Sequence, residues 1–170
     1  MWKWIVAVAF SVLLTPNAMA QQEISGTARV IDGDTLEIGG VRLSLAGVDA
    51  AEAGQRCARG ERLVDCGIAA GAQLSDLTAG VTVSCVMLGL GDPAHDAVEG
   101  IRAHCASDGY DLSEGMVYTG WALVEPGAAP LYRNLERAAE AAERGLWRYR
   151  FVAPWEWRAG KRLALEEPAN

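Results

Sequence analysis

The residues best suited to chemistry fall between Asp32 and Glu52. Asp32-Gly33-Asp34-Thr35 sets two carboxylates and a hydroxyl around a glycine turn, and Asp49 and Glu52 follow beyond an alternating stretch. Carboxylates from two segments that meet in space form the oxygen-rich site that a hard cation such as Ca²⁺ requires. A further glutamate beside them could serve as a general base toward a water molecule. The same residues also suit an ordinary turn, because Asp and Gly favour turns for their own local reasons. Spacing alone therefore leaves a metal site and a plain turn both open.

Such groups need a framework, and the hydrophobic pattern supplies one. Ile24 to Val30 reads as a first strand, and Thr35–Ile38 with Val41–Leu45 flank Gly39-Gly40 as a hairpin. Ile68 to Thr78 reads as a helix with Leu74 and Leu77 on one face and Gly80 as its stop. Val81 to Val86 alternates as a strand, with Ile101 to Ala106 as its partner. Asp111 is placed to cap a short helix ending at Gly120. Leu131 to Arg144 forms a longer helix, with Tyr132, Leu135, Ala139 and Ala142 on its inner face and Gly145 as its stop. Three strands, a helix, two strands and two helices make an α+β fold with a small barrel at the front.

With 51% hydrophobic and 22% charged residues in 170, the composition suits one globular core and excludes a disordered or collagen-like chain. No apolar run reaches the roughly 18 residues of a bilayer span, which excludes a polytopic membrane protein. Residues 1–20 read as a signal peptide: Lys3, an apolar stretch from Ile5 to Leu14, and Ala18-Met19-Ala20 as a cleavage site with the cut after Ala20. That predicts a periplasmic or secreted protein with no membrane span after cleavage, in an oxidising compartment. The four cysteines then read as two disulfides with three connectivities open. The favoured pairing is Cys57–Cys66, closing a short loop, and Cys85–Cys105, joining two expected strands. Zinc ligation competes poorly, since there is no C-x-x-C and only two histidines.

Two stretches carry a resemblance. Val30-Ile31-Asp32-Gly33-Asp34-Thr35-Leu36, followed by Leu45-Ala46-Gly47-Val48-Asp49-Ala50-Ala51-Glu52, is similar to the staphylococcal nuclease-like (thermonuclease) family. The similarity continues in order through Cys66-Gly67 to Leu77, Asp96 to Cys105, Gly120-Trp121-Ala122 and Gly145-Leu146-Trp147. It implies an OB-fold, a five-stranded β-barrel with three helices, over residues 21–150, followed by a basic aromatic tail over 151–170. It also implies one Ca²⁺ and cleavage of DNA and RNA phosphodiesters. By the resemblance, Asp34 and Asp49 match the carboxylate ligands, the Ala50 carbonyl the backbone ligand, and Glu52 the residue that orients or deprotonates the attacking water.

The chain departs from that pattern at the groups that grip phosphate. Ser44 stands five residues before Asp49, where the family places an arginine, and Gly100 falls where it places a second. Val98 replaces a tyrosine, and Ala51 replaces the proline that stiffens the loop before Glu52. A forked guanidinium at a transferring phosphoryl group contributes about 10³–10⁵ in rate, so losing two predicts little turnover. Arg42 and Arg102 each stand two residues from a vacant position, about 6.6 Å along a strand, and on the same face if both segments are extended.

Two functions follow. The first is an exported thermonuclease-like protein, catalytically impaired or inactive, acting as a binding or structural module beside an envelope protein partner. The alternative is an active Ca²⁺-dependent nuclease that uses the displaced Arg42 and Arg102. The formal charge of −7 disfavours nucleic acid as a partner, and the chain is expected to be a monomer. Arg144 to Arg162 runs against that charge, with six basic residues and Glu156 alone among acidic ones, interleaved with Trp147, Tyr149, Phe151, Trp155 and Trp157. That composition suits a single-strand binding surface, or aromatic residues packing the tail down while arginine heads stay in water.

Overall fold

The structure is a computed structural model that describes residues 22–89 and 100–166; the signal-peptide reading of residues 1–20, and Asp96 and Val98, lie outside the described residues. The protein is α+β, with a curled, half-barrel sheet and helices against it, an arrangement compatible with an OB-like fold. In chain order the first strands are β1 (Glu23–Gly26), β2 (Arg29–Val30), β3 (Thr35–Ile38), β4 (Val41–Leu45), β5 (Val48–Ala50), β6 (Arg56–Arg59) and β7 (Arg62–Asp65). Helix α1 (Cys66–Thr78) leads to β8 (Val83–Met87), and β9 (Ile101–Ser107) and β10 (Tyr110–Asp111) lead to α2 (Leu112–Thr119). The chain ends through β11 (Ala122–Val124), α3 (Pro130–Ala141), a 3-10 turn (Gly145–Arg148) and α4 (Pro154–Arg158).

The main sheet runs β1-β8-β9-β4-β3-β2, with β10 added to β9. The expected strand over Ile24 to Val30 is two strands, because its halves serve different neighbours: β1 pairs with β8 and β2 with β3. The β3–β4 hairpin turns on Gly39 and Gly40, both at positive φ, as a two-residue turn matching strand twist requires. Its inner faces bury Leu36, Leu43 and Leu45 completely, against Leu74 of α1, Val83 of β8 and Leu112 and Met116 of α2. At roughly 1.5–3 kcal/mol for each buried aliphatic side chain, this cluster is the main stabiliser of the barrel-like half.

Both expected disulfides are present. Cys85 and Cys105 are directly opposed across β8 and β9, and Cys57–Cys66 ties β6 to the first residue of α1. Asp65 caps that helix by accepting the Ile68 N–H at 2.9 Å, and Asp111 caps α2 by accepting from Glu114 N–H. The expected helix from Leu131 to Arg144 is shorter: α3 stops at Ala141, and Glu143 turns to φ +49, so Ala142 is exposed rather than inward. The pairs β5–β11 and β6–β7, and helix α4, were not expected from the sequence; each strand there spans only three or four residues, too short for alternation to register.

The C-terminal stretch is fastened to the disulfide hairpin. Ala58 and Arg150 exchange both backbone hydrogen bonds at 2.8 Å, and the Gln55 side chain donates to the Val152 carbonyl at 2.7 Å. Trp147 and Phe151 meet edge to face, and Val152 and Pro154 are buried. Replacing both Cys57 and Cys66 with Ala should therefore cost about 3 kcal/mol by the loop-closure argument, read from urea unfolding. It should also expose the 150–158 segment to limited proteolysis before the rest of the chain.

Candidate functional site

The turn at Asp32 is closed by its own carboxylate, which accepts N–H groups from Asp34 at 3.2 Å and Thr35 at 2.8 Å. That fold-back aims Asp34 toward β5, where its Oδ2 accepts the Ala50 N–H at 2.6 Å, and its Oδ1 accepts the Thr35 hydroxyl. Thr35, Ser44 and Arg102 are direct neighbours across β3, β4 and β9, so they form one row on one face of the sheet. This row, with Asp32, Asp34, Val48, Asp49, Glu52, Glu125 and Arg158, lines a cavity of about 230 Å³.

The sequence-predicted residues divide. Asp34, Asp49, Glu52 and Arg102 come together in that cavity. Arg42 does not line it; it sits two pairs further along the hairpin, opposite Glu37. Ala50 is buried beneath the lining, presenting its amide to Asp34. Arg102 is closer than its place in the chain suggests: the parallel pairing of β4 with β9 sets it directly beside Ser44. Gly100, by contrast, cannot accept a side chain without strain. Its φ is +95, and a Cβ there would lie 3.0 Å from the Leu43 carbonyl carbon and the Ser44 nitrogen.

Arg158, from α4, is the residue that sequence reasoning missed. Its guanidinium forks onto Asp49, donating to Oδ1 at 2.8 Å and Oδ2 at 2.6 Å, and it also bonds Glu52 Oε1. Arg102 makes a second fork onto Glu125. A separation of 109 residues leaves no local signal for the Asp49 pair; the only hint was a basic, aromatic stretch.

The loop that carries Glu52 lacks the expected proline but is held by other means. Gln55, fully buried, accepts the Glu52 N–H at 3.0 Å while donating to Val152. The Gln55 carbonyl takes N–H groups from Cys66 and Gly67, and a Cβ on Gly67 would fall 1.9 Å from the Glu52 carbonyl oxygen. Bare backbone at Gly67 is what lets α1 buttress this loop.

Crowded carboxylates shape the electrostatics. Burial pushes the Asp34 carboxyl well above the usual carboxylate range, and the charges of Asp32, Asp49 and Glu52 add to the shift against the opposing Ala50 N–H. Burial raises Glu52 too, while the bond and charge of Arg158 pull it down. Arg158 is held more firmly protonated by its hydrogen bond to Asp49. As arranged, these oxygens do not fit a bound cation: both Asp49 oxygens take Arg158 N–H groups, and both Asp34 oxygens are engaged. Among the described residues, no group of three or more His, Cys, Asp or Glu side chains is placed to hold a metal ion.

The chain is 34% identical over 149 residues to the succinoglycan biosynthesis protein ExoI of Rhizobium meliloti (strain 1021), covering 85% of this chain and 75% of that protein. It belongs to the ExoI family. No family model matches the sequence. No helix among the described residues is long and apolar enough to cross a membrane, which with two disulfides is compatible with a periplasmic or extracellular place for this family member.

Two outcomes test the site. Asp34 and Glu52 have folded pKa values raised above their unfolded ones, so the native state holds extra protons in between. Their contribution to stability is fully present below about pH 4 and is lost as pH rises through the raised folded values. Asp34→Asn should therefore melt higher than the parent at pH 7, with the two converging near pH 4. Gln55→Leu leaves the Glu52 N–H and the Val152 carbonyl without partners, and should cost about 2–3 kcal/mol in denaturant unfolding.

Proposed function

We propose that the curled sheet is the OB barrel of the thermonuclease family, and that the protein is an exported, thermonuclease-like module with an impaired phosphodiesterase centre. One observation carries this reading: both guanidiniums that line the cavity are already engaged by carboxylates of the same chain, Arg102 by Glu125 and Arg158 by Asp49 and Glu52. Neither is free to fork onto a phosphate, and the two positions where the family keeps such arginines hold Ser44 and Gly100. With five carboxylates on the same wall, a polyanion approaching the cavity is repelled. Calcium binding is weak in this reading, and the work of the protein is binding or structural, alongside an envelope protein partner.

A second reading is favoured by the place of Arg102. It stands beside Ser44 on the cavity wall, so rotation away from Glu125 would return one guanidinium to the site, and the protein would be an active Ca²⁺-dependent nuclease. Arg42 has no part in it, being off the cavity.

Digestion of DNA and RNA by the disulfide-intact protein, with and without Ca²⁺, decides between them. The impaired reading expects no Ca²⁺-dependent cleavage above background. Robust cleavage abolished by Asp34→Ala or Arg102→Ala would establish the second reading instead. Repair should succeed at one position only. Ser44→Arg places a fork on the cavity wall and should raise Ca²⁺-dependent cleavage by at least about tenfold, a gain that Glu52→Gln removes. Gly100→Arg should instead lower stability by about 1–3 kcal/mol, because it forces a side chain onto backbone at positive φ.

A further inference from the structure

The disagreement between an oxygen-rich site and oxygens already engaged by hydrogen bonds has a specific cause in the tail. We propose that Arg158 is the resident cation of this site: α4 docks its guanidinium where a divalent ion would otherwise sit, so the C-terminal segment and a divalent cation compete for Asp49 and Glu52.

Three features support the proposal. The first is the geometry of the pair. Both oxygens of Asp49, whose side chain is only 6% exposed, are engaged by one guanidinium, and the same Nη1 extends to Glu52. A planar fork matches a carboxylate with two parallel bonds, so this is a directed contact rather than a diffuse attraction. The second is the way the arginine is delivered. The segment before it is fastened by the Ala58–Arg150 backbone pair and by Gln55 on Val152, and the Cys57–Cys66 bridge anchors that hairpin to α1. Pro154 then begins the helix whose last residue is Arg158. A tethered cation of this kind acts at an effective concentration of about millimolar or above, so a dissolved ion must exceed that to displace it. The third is the charge that remains. Asp32, Asp34, Asp49, Glu52 and Glu125 face the cavity against Arg102 and Arg158, so removing Arg158 leaves a strongly negative oxygen-lined pocket whose remaining guanidinium, Arg102, is forked onto Glu125. Divalent cations are what such a pocket then attracts.

This inference rests on the impaired-site reading, but its test uses no nucleic acid, so the two can fail separately. Calcium is titrated by calorimetry into the disulfide-intact protein and into Arg158→Gln. The variant should bind Ca²⁺ at least tenfold more tightly than the parent, and adding Asp49→Asn to it should remove the gain. Equal affinity in the two, or tight binding in the parent that Arg158→Gln leaves unchanged, would overturn the proposal. Because Asp49 is nearly buried, Arg158→Gln can fail to fold, which a thermal melt reveals. Arg158→Lys then serves in its place: it keeps the charge but loses the fork, and should tighten Ca²⁺ binding severalfold. A folded Arg158→Lys with parental affinity would equally overturn the idea.

Discussion

Carboxylates that share one cavity wall repel each other, and in this protein five of them do so with only two guanidiniums between them. The fork of Arg158 on Asp49 is the contact that makes the arrangement tenable. Without it, a nearly buried carboxylate would face Glu52 and Asp34 with only Arg102, already forked onto Glu125, as opposite charge in the cavity. Removing one partner of such a pair leaves an uncompensated buried charge, which typically costs several kcal/mol. The pair therefore matters less as an attractive extra than as the condition under which Asp34, Asp49 and Glu52 can occupy one place.

That condition reaches through much of the molecule. Arg158 arrives only because the preceding segment lies against the β6–β7 hairpin, and the hairpin stays in place because Cys57–Cys66 joins it to α1. Gln55 links both sides of the site in one residue, holding the Glu52 loop with its side-chain oxygen and the tail with its side-chain nitrogen. A chain reading Ala51 in place of a stiffening proline thus still presents an ordered loop, by buried hydrogen bonds rather than by a restricted φ. The tail, which composition marks as a separate basic stretch, contributes Arg158 to the lining of the cavity.

The two arginine vacancies turn out to differ in kind. Ser44 points from a regular strand into the cavity, with Thr35 and Arg102 on either side, so a longer side chain has somewhere to go. Gly100 lies at positive φ against the backbone of β4, so the geometry of its own residue closes that position. Both read as the same loss in the sequence, and only the backbone separates them.

What the sequence determined by itself was everything encoded in local pattern: the β3–β4 hairpin, helices α1 and α2 with the Asp111 cap of the second, and the carboxylates at Asp34, Asp49 and Glu52. Both disulfide pairings were legible too, because one closes a short loop and the other joins expected partner strands. Turn chemistry, hydrophobic period and short-range closure act over a few residues and are written there. The tertiary structure alone decided the splitting of the first strand between β8 and β3, the parallel pairing that sets Arg102 beside Ser44, and the arrival of Arg158 at Asp49. Those outcomes depend on which distant surfaces bury one another. A charge 109 residues away has no period, cap or turn to announce it until the chain has folded around it.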